Sequence, residues 1–229
     1  MTDQGALRRH VLATVVTHAV FGAAVLGLAA SGLLLVTGGP RFLVGLLGGH
    51  DGLAVWHRRL GLAVTASLLA APLLAPHNIA GLAKDVLSYR RADIGWAQAI
   101  VRFVMHPYRN RPPYHGGRFD PAQRLLFAIM GALLVLLAAT GVALLVTPRN
   151  ASGLLSLTLR VHELSGWVFF IAAGSHVLAG SGWLPSHRGV VRAMVDGQVS
   201  IATAKRLWPG WAALQTKPRE RHDKKQGGR

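Results

Sequence analysis

Four histidines stand inside stretches of sequence that are otherwise apolar. His162 and His176 are 14 residues apart. On a helix this spacing corresponds to about 21 Å of rise and places both side chains within about 40° of one face. His18 and His57 lie in two other apolar stretches. Ionisable side chains inside apolar segments are costly and mark functional sites, so these four are the first candidates for chemistry.

The elements that position these histidines are long apolar runs. Four runs without Lys, Arg, Asp or Glu are each longer than the roughly 20 residues that a helix needs to cross the hydrocarbon core of a membrane. They predict an all-α membrane protein with four transmembrane helices in a single membrane domain, 1–229. The first run exceeds the apolar part of a signal peptide, about 7 to 15 residues, so we expect a retained span. The predicted spans cover about 11–36, 53–83, 122–147 and 155–185, and a C-terminal segment follows at 188–229.

Positive charge is distributed unevenly between the two sides of the predicted spans. Of the 25 Lys and Arg residues, two precede the first span, eight lie between spans two and three, and ten follow the last span. Only five remain for the other side. The positive-inside rule therefore predicts that both termini and the middle loop are cytoplasmic. A protein of this kind beside anionic lipid accounts for the net charge of +16, so no nucleic-acid partner is expected.

This topology places the four histidines at two levels. His18 follows the start of a span that begins inside, so it shares a level with His176; we call these two residues the inner pair. His57 begins a span that enters from outside, so it shares a level with His162; we call these two the outer pair. A glycine on the same helix face follows each histidine after four residues, where it lets a flat ligand come close. These glycines are Gly22, Gly61, Gly166 and Gly180.

Two bis-imidazole sites, one in each leaflet, indicate two haems b. Because protein would fill both axial positions, no position is open to substrate, and one-electron transfer is the expected chemistry. The absence of cysteine excludes disulfides, covalently attached haem c and cysteine-ligated iron–sulfur clusters within this chain. A haem-free proton relay or transport protein and a purely structural anchor are the alternatives from other classes. Zinc is disfavoured because the four ligands are split between two levels.

The remaining histidines and the C-terminal segment have simpler interpretations. Solvated imidazoles without a cofactor role are expected in loops, ends and tails. These are His10, His50, His106, His115, His187 and His222. Residues 188–211 are expected to form an amphipathic helix at the inner surface, and the tail at 219–229 is expected to be disordered. The tryptophans suited to the membrane interface are Trp183, Trp208 and Trp211.

Polar residues at the span boundaries have two interpretations each. Asp120 is followed by Pro121, Ala122 and Gln123, which is the pattern of a helix start with an Asp N-cap, Pro at the first position and Gln at the third. His77 is on the face of span two opposite His57. It either caps a helix end or lies at the membrane interface, or else it lies near a quinone. The arginines Arg58, Arg59 and Arg160 flank the outer pair, where they bind haem propionates or extend to the water boundary.

Several motifs along the chain belong together. They are His18 with Ser31-Gly32, HRRLG at 57–61, PHN at 76–78, GRFDPAQRLLF at 117–127, TGV at 140–142, VHELSG at 161–166 with His176, and RGVVRAMVDGQVSIATAKRLWPGW at 188–211. From about Arg9 to Trp211, the sequence resembles the cytochrome b (gamma) subunits of membrane-bound respiratory formate dehydrogenases.

The resemblance implies a four-helix dihaem cytochrome b bundle in the bacterial cytoplasmic (inner) membrane, with the outer pair ligating one haem and the inner pair the other. It implies a membrane-anchor subunit that transfers electrons from an iron–sulfur partner through two haems b to menaquinone or ubiquinone. A molybdopterin subunit would catalyse formate oxidation, which this chain by itself does not, and a higher oligomer of the complex is compatible with the family. The alternative within this class is the cytochrome b subunit of a membrane-bound hydrogenase or thiosulfate reductase.

The resemblance also implies a quinone site at the start of the third span. The family's Asn corresponds to Asp120 and a family Gly to Ala122, whereas Gln123 is retained. His77 and Asn78 are further candidates for this site. As a carboxylic acid, Asp120 could pass cytoplasmic protons to the reduced quinone.

Overall fold

The computed structural model describes residues 5–106, 113–148 and 150–216. The helices and strands are, in chain order, β1 (Ala6–Arg8), α1 (Leu12–Thr37), α2 (Arg41–Leu46), α3 (Gly49–Leu74), α4 (Pro76–Leu87), α5 (Ala92–Met105), α6 (Pro121–Val146), α7 (Ser152–Gly180), α8 (Arg192–Val195), β2 (Gln198–Ser200), α9 (Ile201–Leu207) and α10 (Pro209–Thr216). A short 3-10 turn covers Pro185–His187. The predicted disordered tail lies outside the described residues, as does part of the middle loop.

Three helices in the described ranges are long and apolar enough to cross a membrane, namely α1, α6 and α7. Helices α3 and α4 meet this description only when they are taken together, and they are bent by 101°. The predicted second span, 53–83, therefore covers one long helix and part of a second helix that turns away from it. Pro76 explains the break at Ala75, because proline has no N–H and disfavours helical backbone at the preceding residue.

The long helices form a bundle in which α1 packs against α3, α6 packs against α7, and α3 and α6 join the two pairs. Val25, Val64, Phe169 and Ala173 form the core where the helices meet. Other apolar side chains face outward, and Leu69, for example, is 68% exposed. Apolar surface in water costs about 25 cal/mol per Å², so lipid is the medium in which this exterior is stable. The chain is an integral membrane protein with a mostly helical fold.

A small unit beside the long helices joins the N-terminal and C-terminal parts of the described chain. Strand β1 pairs antiparallel with β2, so that Leu7 stands opposite Val199. Buried residues around this ribbon form a second core, made of Val190, Ala193, Val199, Ala204, Trp208 and Ala212. The expectation of strictly helical structure therefore misses the ribbon, and the single amphipathic helix expected at 188–211 is instead α8, β2, α9 and the start of α10.

Local sequence signals explain why one continuous helix does not form there. Gly197 has a φ of 74°, and a Cβ at this position would lie 2.4 Å from the carbonyl oxygen of His10. Only glycine allows this close turn. Three residues later, the hydroxyl oxygen of Ser200 accepts a hydrogen bond from the N–H of Thr203 at 3.1 Å and caps α9. Pro209 then begins α10.

Candidate functional site

The outer pair brings together two imidazoles from different helices. His57 lies on α3 and His162 on α7, and their ring centres are 6.3 Å apart with the ring planes 87° to each other. Two imidazoles that bind one metal ion from opposite sides, with each nitrogen about 2.0 Å from it, place their ring centres about 6 Å apart. The outer pair therefore has the spacing required of two axial ligands.

An apolar cavity of about 550 Å³ surrounds the outer pair between α1, α3, α6 and α7. Its walls are mainly aliphatic and aromatic side chains, and both histidines take part in its lining. Gly61 and Gly166 also line it, and a Cβ on Gly166 would meet no atom within 4 Å. Apolar walls, two facing imidazoles and open space above a glycine suit a flat macrocycle.

The inner pair has a similar arrangement 14 residues further along α7. His18 of α1 and His176 of α7 have ring centres 6.0 Å apart and planes inclined by 50°. Beside Gly22 and beside Gly180, a Cβ would again meet no atom within 4 Å. The structure thus brings together the same two pairs that were predicted from the depth of each histidine in the spans. Helix α7 contributes one histidine to each pair.

The number of ligands indicates which kind of metal these pairs could hold. Within the described residues, no group of three or more His, Cys, Asp or Glu side chains could hold a metal ion. Each pair is therefore a two-ligand site. This arrangement suits an iron already held by four porphyrin nitrogens, whereas a bare zinc ion takes three or four ligands from the protein.

The model of the prokaryotic cytochrome b561 family matches residues 9–197. The chain belongs to this family. Cytochromes of the b type carry haem b, so membership implies haem b as the cofactor of this chain. The two pairs of histidines are spaced to hold it.

Formate dehydrogenase cytochrome b subunits are similar to this cytochrome b561 family member. The cytochrome b556(fdo) subunits of Escherichia coli K12 and of Escherichia coli O157:H7 are each 28% identical to it over 124 residues, which is 53% of this chain and 55% of the relative. The chain thus spans about half the length of the curated relatives it matches. These comparisons confirm the resemblance identified from the motifs.

Two hydroxyl groups that the sequence did not single out contact the outer pair. Ser31 Oγ on α1 lies 2.8 Å from His57 Nδ1. Thr140 Oγ1 on α6 lies 2.8 Å from His162 Nδ1. Both residues occur in the motifs that carry the family resemblance, SG at 31–32 and TGV at 140–142, which is the only signal that could have identified them.

The start of α6 has the predicted helix cap. Asp120 Oδ1 accepts from the N–H of Gln123 at 2.8 Å, and the N–H of Asp120 donates to Gln123 Oε1 at 3.4 Å. These two bonds form a capping box, which confirms the expected helix start. Burial raises the pKa of the Asp120 carboxyl, although hydrogen bonds from the N–H groups of Gln123 and Ala122 oppose this. The acid therefore keeps its proton to a higher pH than an ordinary Asp.

The C-terminal segment covers this helix start. Trp208 Nε1 donates to Gln123 Oε1 at 3.1 Å. The guanidinium of Arg9 lies 4.1 Å from the ring centre of Trp208 and 4.4 Å from that of Trp211. Burial lowers the pKa of Arg9 to about 10, so it is still a cation at neutral pH. Trp208 is only 3% exposed, and the expectation that it lies at the membrane interface is therefore wrong, whereas Trp183 is 81% exposed.

Aromatic contacts connect the start of α6 with the inner pair. The rings of Phe119 and Phe127 are 5.3 Å apart, and the ring of Phe127 is 5.6 Å from that of His176. Of the other residues predicted for a quinone site, His77 and Asn78 are exposed on α4. In the part of the chain that the structure describes, neither forms a hydrogen bond with Asp120. In the described residues, the aromatic contacts therefore lead from Phe119, which precedes Asp120, to the inner pair, and neither His77 nor Asn78 takes part in them.

The predicted propionate ligands differ in their position. Arg58 lines the outer cavity. Arg160 is exposed, and the guanidinium of Arg59 lies 5.9 Å from the ring centre of Trp56. Glu163, next to His162, also lines the cavity. Among the three arginines, Arg58 has the position best suited to a haem carboxylate.

Three histidines that were expected to be solvated are at least partly buried. His115 is 8% exposed, and its Nε2 lies 2.9 Å from the carbonyl oxygen of Leu207, because α10 packs against the loop that contains it. Burial also lowers the pKa of His187, and it lowers that of His10 to about 4. The expectation of solvation is therefore wrong for His115, whereas His50 is exposed as expected. His222 lies outside the described residues.

Proposed function

We propose that this chain is the dihaem b membrane-anchor subunit of a respiratory oxidoreductase of the formate dehydrogenase type. It would transfer electrons from an iron–sulfur partner subunit to a quinone. The observation that carries this proposal is the presence of two facing histidine pairs, with ring centres 6.3 Å and 6.0 Å apart, at two levels of one bundle. Haem b, when bound by bis-histidine ligation, supplies a one-electron carrier without an open position for substrate.

The residues of the chain bind and orient the cofactor in this proposal. His57 and His162 would hold the outer haem, and His18 and His176 would hold the inner haem. Because α7 carries one ligand of each pair, a single rigid helix fixes the separation of the two sites at about 21 Å of rise along the helix. The apolar cavity walls exclude water, and Arg58 provides a fork of N–H donors for a propionate carboxylate.

The proposed partners follow from the relatives and from the polar start of α6. The similar proteins are named as formate dehydrogenase subunits, which supports a complex with an iron–sulfur subunit and a molybdopterin subunit in a bacterial inner membrane. We assign the quinone, menaquinone or ubiquinone, to the neighbourhood of Asp120 and Gln123. Phe119 and Phe127 lie between this helix start and the inner pair.

A reduced-minus-oxidised optical spectrum of the purified protein tests the haem assignment. We expect b-type absorbance and, from haem extraction, two haems for each chain. The histidine pairs are matched in spacing, and we therefore expect both sites to be filled. A protein purified from cells with sufficient haem that showed no b-type absorbance, or only one haem for each chain, would contradict the dihaem assignment.

Asp120→Asn tests the proposed proton transfer from this carboxyl to the quinone. Reduction of a quinone to a quinol takes up two electrons and two protons, and the carboxylic acid would give one proton to a quinone oxygen and regain it from the cytoplasm. Because the acid is protonated only below its raised pKa, the rate in the native protein should fall as pH rises through that pKa. At low pH the variant should reduce the quinone about tenfold or more slowly than the native protein. Its rate should no longer fall as pH rises through this range.

Asparagine is as good an N-cap as aspartate, so this substitution keeps the start of α6 and separates the two roles of Asp120. The measurement is the rate at which a soluble quinone analogue oxidises the reduced protein, as a function of pH. Asp85→Asn, in which the replaced carboxylate is 41% exposed and 3.9 Å from Arg118, is the control. An unchanged pH profile in Asp120→Asn would leave Asp120 with its capping role alone.

A further inference from the structure

The outer histidines share a contact that has the same chemistry on both sides. The hydroxyl of Ser31 reaches His57 from α1, and the hydroxyl of Thr140 reaches His162 from α6. In both cases the ring atom is Nδ1 and the distance is 2.8 Å. The histidines themselves lie on α3 and α7, so the helix pair α1–α3 and the helix pair α6–α7 contain the same arrangement.

The direction of these hydrogen bonds follows from the other partner of each hydroxyl. Ser31 Oγ donates to the carbonyl oxygen of Leu28 at 3.1 Å, and Thr140 Oγ1 donates to that of Leu136 at 2.7 Å. A hydroxyl group has only one hydrogen and a carbonyl oxygen has none to give. With that hydrogen on the carbonyl oxygen, each hydroxyl oxygen accepts from the ring N–H.

It follows that Nδ1 carries the ring proton in both outer histidines. A neutral imidazole has one N–H, so Nε2 is then left with its lone pair. This is the tautomer in which Nε2 can bind a metal. With the proton on Nε2 instead, the same nitrogen could not act as a ligand.

A glycine follows each hydroxyl residue and brings the ring close to the helix. A Cβ on Gly32 would lie 3.2 Å from Cε1 of His57, and a Cβ on Gly141 would lie 3.4 Å from Cε1 of His162. A Cβ on Gly32 would therefore press on the imidazole edge, whereas a Cβ on Gly141 would only touch it. A hydroxyl and a glycine in sequence thus form a support that fixes both the height and the rotation of each ring.

The inner pair has no equivalent support. Among the residues that the structure describes, neither His18 nor His176 has a side-chain hydroxyl within hydrogen-bonding distance of its ring. The nearest ring contact of His176, apart from His18, is the edge of Phe127 at 5.6 Å. The two sites are therefore alike in their ligands but different in the groups behind the ligands.

We propose that Ser31 and Thr140 are positioning residues that hold His57 and His162 with Nε2 free for iron and make the outer site the more electron-donating of the two. This inference rests on the proposed function, because it assumes that the outer pair ligates a haem. An acceptor on Nδ1–H raises the basicity of an imidazole ligand, and a more basic ligand favours ferric iron. The outer haem consequently has a lower midpoint potential than it would have without these hydroxyls.

The test is a redox titration of the full-length protein and of the variants Ser31→Ala and Thr140→Val, with the two haems distinguished by their ferric electron paramagnetic resonance signals. The outer signal is the one that His57→Ala lacks. Each variant should lower the ferric-to-ferrous ratio of the outer haem at a fixed potential by about threefold to tenfold, as expected for one lost hydrogen bond. The inner haem should be unchanged.

Ser67→Ala is the matched control, because Ser67 lies on α3 and, among the residues that the structure describes, its hydroxyl donates to its own helix alone, to the carbonyl oxygen of Ala63 at 2.9 Å. An unchanged outer potential in both test variants, with both haems bound, would overturn the inference. If Thr140→Val lost the outer haem altogether, Thr140→Ser would decide between two explanations. Recovery of the haem in Thr140→Ser would show that the hydroxyl group of Thr140 is what holds His162 in position. Loss of the haem in both variants would show that Thr140 acts only through packing. A native chain without b-type absorbance would instead reject the proposed function itself.

Discussion

Alanine at His57 or at His162 is expected to remove one haem from the chain, and alanine at His18 or at His176 is expected to remove the other. In the proposed arrangement, each substitution deletes one of the two histidines that would hold an iron, so the site that it leaves cannot hold the haem by bis-histidine ligation. Haem content should fall from two to one for each chain. Extraction of the haem and optical difference spectra measure this loss.

Combined variants test the pairing itself. Removing both members of the outer pair, His57 and His162, should cost no more haem than removing either one. Removing His57 together with His18 should cost both haems. His50→Ala is the control, because His50 is exposed in the first turn of α3, the same helix as His57. Loss of both haems from the His57→Ala,His162→Ala variant, with one haem left in each single variant, would show that the two residues serve different sites.

Arg124→Ala is expected to lower the free energy of unfolding by about 2–4 kcal/mol, because it removes one partner of a buried ion pair. The guanidinium of Arg124 lies 2.8 Å from the carboxylate of Asp93, and their side chains are only 10% and 19% exposed. The same guanidinium donates to the carbonyl oxygen of Ser88 and lies 5.3 Å from the ring centre of Tyr89. Its loss would leave the Asp93 carboxylate poorly solvated and would detach α5 from the start of α6.

A second ion pair of the same length provides the comparison. Arg192 and Asp196 are also 2.8 Å apart, but their side chains are 61% and 37% exposed. Surface pairs contribute little to stability, so Arg192→Ala should leave the unfolding transition in detergent nearly unchanged. The decisive measurement is the difference between the two variants in thermal or denaturant unfolding. Equal effects would mean that burial of Arg124 does not determine its contribution.

The pairing of the four histidines could be predicted from the sequence because it depends on regular quantities. Helical rise and the thickness of the membrane relate His18 to His176 and His57 to His162, whatever the details of packing. The cap of α6 was equally predictable, because Asp120 and Gln123 are neighbours in the chain and their hydrogen bonds are local.

The features that were missed depend on contacts between residues far apart in the sequence. Ser31 meets His57 only because α1 and α3 pack with particular rotations about their axes, which an apolar run does not specify. Trp208 carries the pattern of an interfacial residue, but its burial depends on Arg9, which lies 199 positions earlier in the chain. Pro76 was visible, yet the charge-free run continued past it and indicated a single longer span.

The pairing of β1 with β2 sets an order on biogenesis. Residues 6–8 leave the ribosome before the long helices, but their partner strand at residues 198–200 follows α7. The ribbon therefore cannot close until every long helix has been synthesised and delivered to the membrane. Strand β1 therefore has no partner while α1, α3, α6 and α7 are being made, and the unit built around the ribbon takes its final form only after all four.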